Sequence, residues 1–266
     1  MSRPETPIAI LGDRNPDYSP HYAMQHYFSN RGLEIEWIPT PTLEADAAPH
    51  LNGFRGIIAG SGPYQSKQGV INGIRYARLN NIPFIGSCSG FGYAVLELGQ
   101  SLTGAAHVLH PGEGLEIPSG EDYLQRLNHC SAAVRPIRFE LVPGTLTSRI
   151  YRIYGPAQEE QVAEALGRLV AEAKGRQATE AQTVQEESHC AYGINQAMIR
   201  YFAGHGLIVA ALDHEKEPKI MEYTPNDFFI IMLFLPQWLH SRTDPHPLLE
   251  AFLEKAVGNK TAMAWQ

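Results

Sequence analysis

Residues Ile82 to Leu98 read Ile-Pro-Phe-Ile-Gly-Ser-Cys-Ser-Gly-Phe-Gly-Tyr-Ala-Val-Leu-Glu-Leu: an apolar run, a cysteine between two glycines, then an amphipathic stretch. Gly86-Ser87-Cys88-Ser89-Gly90 has the form of a nucleophile elbow with a thiol in the nucleophile position. In that form a buried strand ends, the chain turns sharply, and a helix begins with its free N–H groups and positive dipole beside the sulfur. Such surroundings favour the reactive thiolate. The competing reading is a structural cysteine in a glycine-rich turn, and the strand-elbow-helix context favours a nucleophile.

A second turn, Gly60-Ser61-Gly62-Pro63-Tyr64, follows the apolar run Gly56-Ile57-Ile58-Ala59. Ligands of open α/β sheets bind outside the carboxyl ends of the strands, so this turn and the Cys88 elbow are expected on one rim. There, backbone N–H groups near Ser61 and at Ser89 would form an oxyanion hole. Gly60, Gly62, Tyr64, Phe91 and Tyr93 are the expected pocket walls, richer in aromatic rings than in fixed charge, which suits a less polar substrate. Arg75 and Arg78 are expected on the solvent face of the helix before the elbow.

His107, His110 and Glu113 form a further polar cluster shortly after the Cys88 helix. Two histidines and a carboxylate can ligate zinc or relay protons. Their spacing matches neither a helical His-Glu-x-x-His nor a paired-cysteine site, so they are assigned to the pocket with no metal and no cofactor. Asp213 to Pro218 reads as a polar hairpin turn and is assigned no chemistry.

The elements that must position these groups alternate between apolar runs and amphipathic stretches, the pattern of a sheet with helices on both faces. Strands are expected at Pro7–Gly12, Leu33–Ile38, Gly56–Ala59, before Cys88, at Leu207–Leu212, at Lys219–Tyr223 and at Phe228–Leu235. Helices are expected at His21–Gly32 and Val70–Asn80. The fold class is therefore α/β, a doubly wound, mostly parallel sheet flanked by helices. Residues 156–187, rich in Ala, Glu and Gln, read as a surface insertion whose first half is an amphipathic helix and whose second half is a connector. With 266 residues, of which 44% are hydrophobic, the chain is expected to build one domain around a well-buried core.

A net charge of −7 argues against binding driven by charge to nucleic acid or an anionic membrane. Three cysteines, Cys88, Cys130 and Cys190, are too few for a secreted disulfide framework, and the polar N-terminus lacks a signal-peptide core. A cytoplasmic protein acting on a small molecule, with homo-oligomerisation open, is the expectation.

Arg75 to Gly90 resembles the nucleophile segment of class I glutamine amidotransferases, in particular the glutaminase region of CTP synthase. Phe54 to Tyr64 resembles the oxyanion strand and loop of that family. Phe228 to Gln237, followed by His246-Pro247-Leu248, resembles its C-terminal triad segment. His189-Cys190-Ala191-Tyr192-Gly193-Ile194-Asn195 resembles a motif of stand-alone proteins related to the C-terminal region of CTP synthase. The resemblance implies a doubly wound amidotransferase fold and a mechanism in which Cys88 attacks a glutamine amide, forms a γ-glutamyl thioester and releases ammonia.

The sequence departs from that family where the resemblance places the base and its orienter. Phe234-Leu235-Pro236-Gln237 stands where the family has Phe-His-Pro-Glu. Leucine moves no proton, and glutamine lacks the carboxylate that orients and charges a histidine. General acid–base catalysis is worth roughly 10²–10⁴-fold, so an ordinary glutaminase is not expected. His189 is the candidate replacement base, with Cys190 as a second thiol and Tyr192 beside them. Because neighbours on a strand point to opposite faces, His189 and Cys190 are not expected to face Cys88 together. No phosphate-binding loop accompanies these motifs, so a complete CTP synthase is not expected either.

Three functions fit: an atypical cysteine enzyme acting on an amide or related acyl carbon; a pseudo-amidotransferase with a binding or regulatory role; and an ammonia-supplying subunit active only with a partner synthase. The first is favoured, with Cys88 as nucleophile.

Overall fold

The computed structural model describes residues 7–103, 123–127, 135–155, 182–188, 190, 192–238 and 245–258. Its first half alternates strand and helix: β1 (Ile8–Leu11), α1 (Ser19–Ser29), β2 (Ile35–Ile38), α2 (Ala48–Leu51), β3 (Gly56–Ala59), α3 (Lys67–Leu79), β4 (Phe84–Ser87) and α4 (Ser89–Thr103). The second half carries β5 (Leu124–Arg126), β6 (Arg135–Leu141), α5 (Leu146–Tyr154), β7 (Thr183–Ser188), β8 (Tyr192–Ile194), α6 (Ile199–Gly204), β9 (Leu207–Asp213), β10 (Pro218–Tyr223), β11 (Phe229–Met232) and α7 (Pro247–Val257).

Nine of the described strands form one sheet in the order β2-β1-β3-β4-β11-β10-β9-β6-β7. From β2 to β11 all neighbours are parallel, and from β11 to β7 all are antiparallel. β1, β3, β4 and β11 are buried along their full length, which is why they read as continuous apolar runs rather than as alternating ones. One core layer packs Val70, Ile74, Phe91 and Leu98 of α3 and α4 against the sheet. The opposite layer packs Met24, Phe28, Ile150, Leu249 and Phe252 of α1, α5 and α7. The expected three-layer α/β arrangement is present, and the half that carries the elbow is wholly parallel.

Two expectations are corrected. Residues 156–181, most of the segment read as an inserted helix, lie outside the described residues, but its end is no connector: Thr183–Ser188 pair with β6 as β7. There Glu186 and Ser188 are buried and Thr183 and Gln185 exposed, an alternation overshadowed in the sequence by polar side chains. Arg75 and Arg78 do not simply face solvent either. Glu97 of α4 is fully buried, and its carboxylate accepts from Arg78 Nε at 2.8 Å and Arg75 Nε at 3.2 Å. Burial of that carboxylate is tolerable only because it is paired, so the two arginines lock α3 to α4.

The elbow is held by close packing. A Cβ on Gly90 would lie 2.0 Å from the carbonyl oxygen of Ala59 at the end of β3. Substituting Gly90→Ala is therefore expected to destabilise the protein by about 1–3 kcal/mol or more, because backbone rather than a pliable side chain must move. Chemical denaturation of the variant beside wild type measures the loss; an unchanged midpoint would contradict the contact.

Candidate active site

β3, β4 and β11 are adjacent and parallel, so their carboxyl ends form one rim. At the end of β4 the chain enters the left-handed region, with Cys88 at φ 54°. For a non-glycine residue this costs about 1–2 kcal/mol, and the surrounding bonds enforce it. Cys88 N donates to Met232 O at 3.0 Å, Gly90 N to Gly60 O at 3.2 Å, and Phe91 N to Cys88 O at 3.1 Å. The elbow is thus tied to β11 on one side and to the Gly60 turn on the other, with Cys88 half-buried between them.

The turn is fixed as tightly. Tyr64 Oη also donates to Gly60 O. His21 Nδ1 accepts from Asn15 N at 3.1 Å, so its Nε2 carries the proton and donates to Ser61 O at 2.9 Å. A Cβ on Gly62 would meet Ser89 Oγ at 3.2 Å, so the turn and the first residue of α4 nearly touch. Asp13 accepts from Thr40 N at 3.0 Å and Gln65 N at 2.8 Å, tying the end of the turn to the segment after β1. The Gly60–Tyr64 turn and the Cys88–Ser89 elbow therefore stand together.

Cys190 lies between β7 and β8, and its thiol is hydrogen-bonded to that of Cys88. That bond first, and burial second, push the Cys190 thiol well above its ordinary pKa, so it keeps its proton. Its backbone N–H donates to Ser188 Oγ at 3.3 Å, and Ser188 Oγ in turn donates to Leu233 O. Lys219, buried and paired with Asp213 at 2.9 Å, pulls the Cys190 pKa the other way more weakly. Residue 190 is outside any strand, so the alternation argument for the 189–190 pair does not apply to it. His189 itself, like His107, His110 and Glu113, lies outside the described residues.

Two phenols complete the cluster. Burial raises the pKa of Tyr18, with Cys88 and Cys190 as the next causes. Burial also holds Tyr64 well above its ordinary range, with Cys88 the next cause. Both stay protonated at neutral pH, and Tyr64 spends its proton on Gly60 O. Tyr18, His21, Ser188 and Lys219 escape the sequence reading. The first two lie just past the carboxyl end of β1, so the rim rule applied to every parallel strand would have found them.

Phe91 and Tyr93 are core residues, 0% and 2% exposed, so they back the elbow rather than face solvent. Tyr93 meets Tyr64 edge to face at 5.1 Å. Tyr192 is half-buried at the start of β8. Leu235 and Gln237 are buried beyond β11, and Gln237 Nε2 donates to Pro20 O at 3.4 Å. Gln237 Oε1, Ser61 Oγ and Ser87 Oγ are buried with no hydrogen-bond partner among the described residues. Among those residues no group of His, Cys, Asp and Glu side chains could hold a metal, and no helix is long and apolar enough to cross a membrane.

Residues 17–232 match the family model described as glutamine amidotransferase class-I. A CTP synthase of Rhodopseudomonas palustris (strain BisA53) is 26% identical over 276 residues, covering 95% of this chain and 46% of that protein. A CTP synthase of Staphylococcus carnosus (strain TM300) is 25% identical over 252 residues, covering 90% and 41%. The chain thus spans under half the length of these curated relatives. Among solved structures, the glutaminase domain of Trypanosoma brucei CTPS with bound acivicin superposes with a TM-score of 0.75 at 17% identity, covering 96% of this chain and 95% of that one. A glutamine amidotransferase from Thermotoga maritima gives a TM-score of 0.50 at 10% identity, covering 99% and 90%. At these identities the structural likeness establishes the fold alone.

The coupling of the two thiols is measurable by alkylation, whose rate follows the thiolate fraction. In wild type, Cys190 should resist alkylation at neutral pH and label only above the ordinary thiol range. Cys88→Ala removes the leading cause, so the pH midpoint for labelling Cys190 should move down, yet stay above that of an exposed thiol because burial persists. Peptide mass mapping across pH reads both midpoints, and an unmoved midpoint would show the thiols uncoupled.

Proposed function

The chain belongs to the class I glutamine amidotransferase family, and from that premise we propose that it is an atypical cysteine enzyme acting on an amide or related acyl carbon through a covalent intermediate at Cys88. The observation that carries this reading is the strained elbow: Cys88 is held at φ 54° beside the Gly60–Tyr64 turn, with its backbone bonded to Met232. Strain of this kind gathers at functional sites, where the surrounding structure must over-determine it.

In the proposed reaction the Cys88 sulfur attacks the carbonyl carbon, and the oxygen takes up negative charge between N–H groups of the Ser61–Gly62 turn and of Ser89. His21, by donating to Ser61 O, fixes that turn and is a positioning residue. Collapse of the tetrahedral species breaks the bond to the leaving amine, which takes a proton as it departs, and water then releases the acyl group. The proton is assigned to His189, adjacent in sequence to Cys190. Tyr18, protonated and near both thiols, donates to the bound acyl substrate.

Leu235 and Gln237, buried where the family resemblance places a histidine and a glutamate, favour one alternative: a pseudo-amidotransferase that binds without turning over. Acivicin, the compound bound to the Trypanosoma brucei domain, and iodoacetamide distinguish these readings. Intact-mass spectrometry of wild type should show a single acivicin adduct that Cys88→Ala abolishes and that Tyr18→Phe slows roughly tenfold, the worth of one hydrogen bond. Labelling by iodoacetamide alone would retain a cysteine enzyme with a substrate unlike glutamine. Slow labelling by both would leave the pseudo-amidotransferase.

A further inference from the structure

Cys88 and Cys190 come from distant parts of the chain, yet each is anchored at the end of β11 through one of two consecutive carbonyls. Cys88 N donates to Met232 O at 3.0 Å. Ser188 Oγ donates to the next carbonyl, Leu233 O, and receives the Cys190 N–H at 3.3 Å. The two thiols consequently meet and are hydrogen-bonded without being disulfide-bonded. Cys190 sits outside the strands on either side of it, so its side chain can follow a small approach to the S–S bond length of about 2.0 Å without breaking a ladder. Amide attack at Cys88 requires only one thiol. The second, held against it by a dedicated serine, has no part in that reaction.

We infer that Cys88 and Cys190 form a reversible dithiol–disulfide couple that closes the site when a hydroperoxide reaches it. The inference rests on the placement of the thiols and stands whether or not Cys88 performs acyl chemistry. Cys88, half-buried at the elbow on the rim, is assigned the attack on the oxidant. Its sulfur attacks the peroxide, forming an S–O bond as the O–O bond breaks and hydroxide or alkoxide leaves. Cys190 then gives up its proton and attacks the Cys88 sulfur, forming the S–S bond as the S–O bond breaks and water leaves. Two thiols lose two electrons in total, and hydrogen peroxide is reduced to two waters. A thiol-disulfide exchange with an external dithiol reverses the change. The bridged form has no nucleophile at the elbow, so it should neither alkylate nor react with acivicin.

The test treats full-length protein carrying Cys130→Ser, to remove the third thiol, with a small excess of hydrogen peroxide. It then blocks remaining thiols with N-ethylmaleimide and maps peptides by mass. The expected result is a peptide joining Cys88 to Cys190, loss of iodoacetamide labelling at Cys88, and full recovery after dithiothreitol. In a Cys190→Ser variant, dimedone should trap a sulfenic acid at Cys88 that wild type does not accumulate. Oxidation of Cys88 to sulfinic acid at the same rate with and without Cys190, and no joined peptide, would overturn the inference. Because the joined peptide is sought in the protein with both thiols intact, a folding defect in the Cys190 variant leaves the test decisive. Acivicin labelling of the reduced protein reports separately on the acyl-transfer reading.

Discussion

The approach of the elbow to β3 is the constraint on which the site depends. At Gly90 the backbone of α4 comes so near the Ala59 carbonyl that no side chain fits, and this brings the first turn of the helix over the end of the neighbouring strand. With Gly90 seated there, its N–H reaches Gly60 O, while on the other side Cys88 N reaches Met232 O. Three strand ends are thereby joined through one short turn, and the cysteine has little conformational choice. The left-handed backbone at Cys88 follows from these closures rather than from any preference of cysteine, which has none for that region.

The helices behind the elbow transmit the same rigidity. α4 cannot slide along α3, because its buried Glu97 is clasped by Arg75 and Arg78. An unpaired carboxylate at that depth would be strongly unfavourable. On the far face, His246 uses Nδ1 to accept the Leu248 N–H at the start of α7, which leaves its Nε2–H for Glu186 of β7 at 3.1 Å. Glu222 of β10 similarly accepts the first N–H groups of α5. Buried charge thus links elements on both faces of the sheet, and the rim is built on a frame pinned from both sides.

The parallel half of the fold is legible in the sequence, since strands buried on both faces spell continuous apolar runs and the glycines mark where they turn. β7 is not legible, because its inward positions carry Glu186 and Ser188, whose burial is satisfied by His246 and by the Leu233 carbonyl. A hydrophobic pattern cannot reveal a strand whose inner face is polar and paired. The elbow and the Gly60 turn are likewise legible as motifs. Tyr18 and His21 are not, since neither belongs to a motif and each enters the site only because parallel strands end on one rim. The meeting of Cys190 with Cys88 depends on a hydrogen bond from Ser188 across the chain, which no local spacing encodes.

The segment after β11 can be understood in the same physical terms. Gln237 turns its amide N–H toward the Pro20 carbonyl at the start of α1, a contact that a carboxylate would make repulsive rather than attractive. Leu235, 3% exposed, is packed as an apolar residue. Through the amide, α1 is held at its beginning, and α1 begins directly after Tyr18 and contains His21. Tyr18 stands near both thiols, and His21 fixes the Ser61 carbonyl. The segment after β11 thus helps to seat the helix that follows Tyr18 and carries His21, the residue that fixes the Gly60–Tyr64 turn.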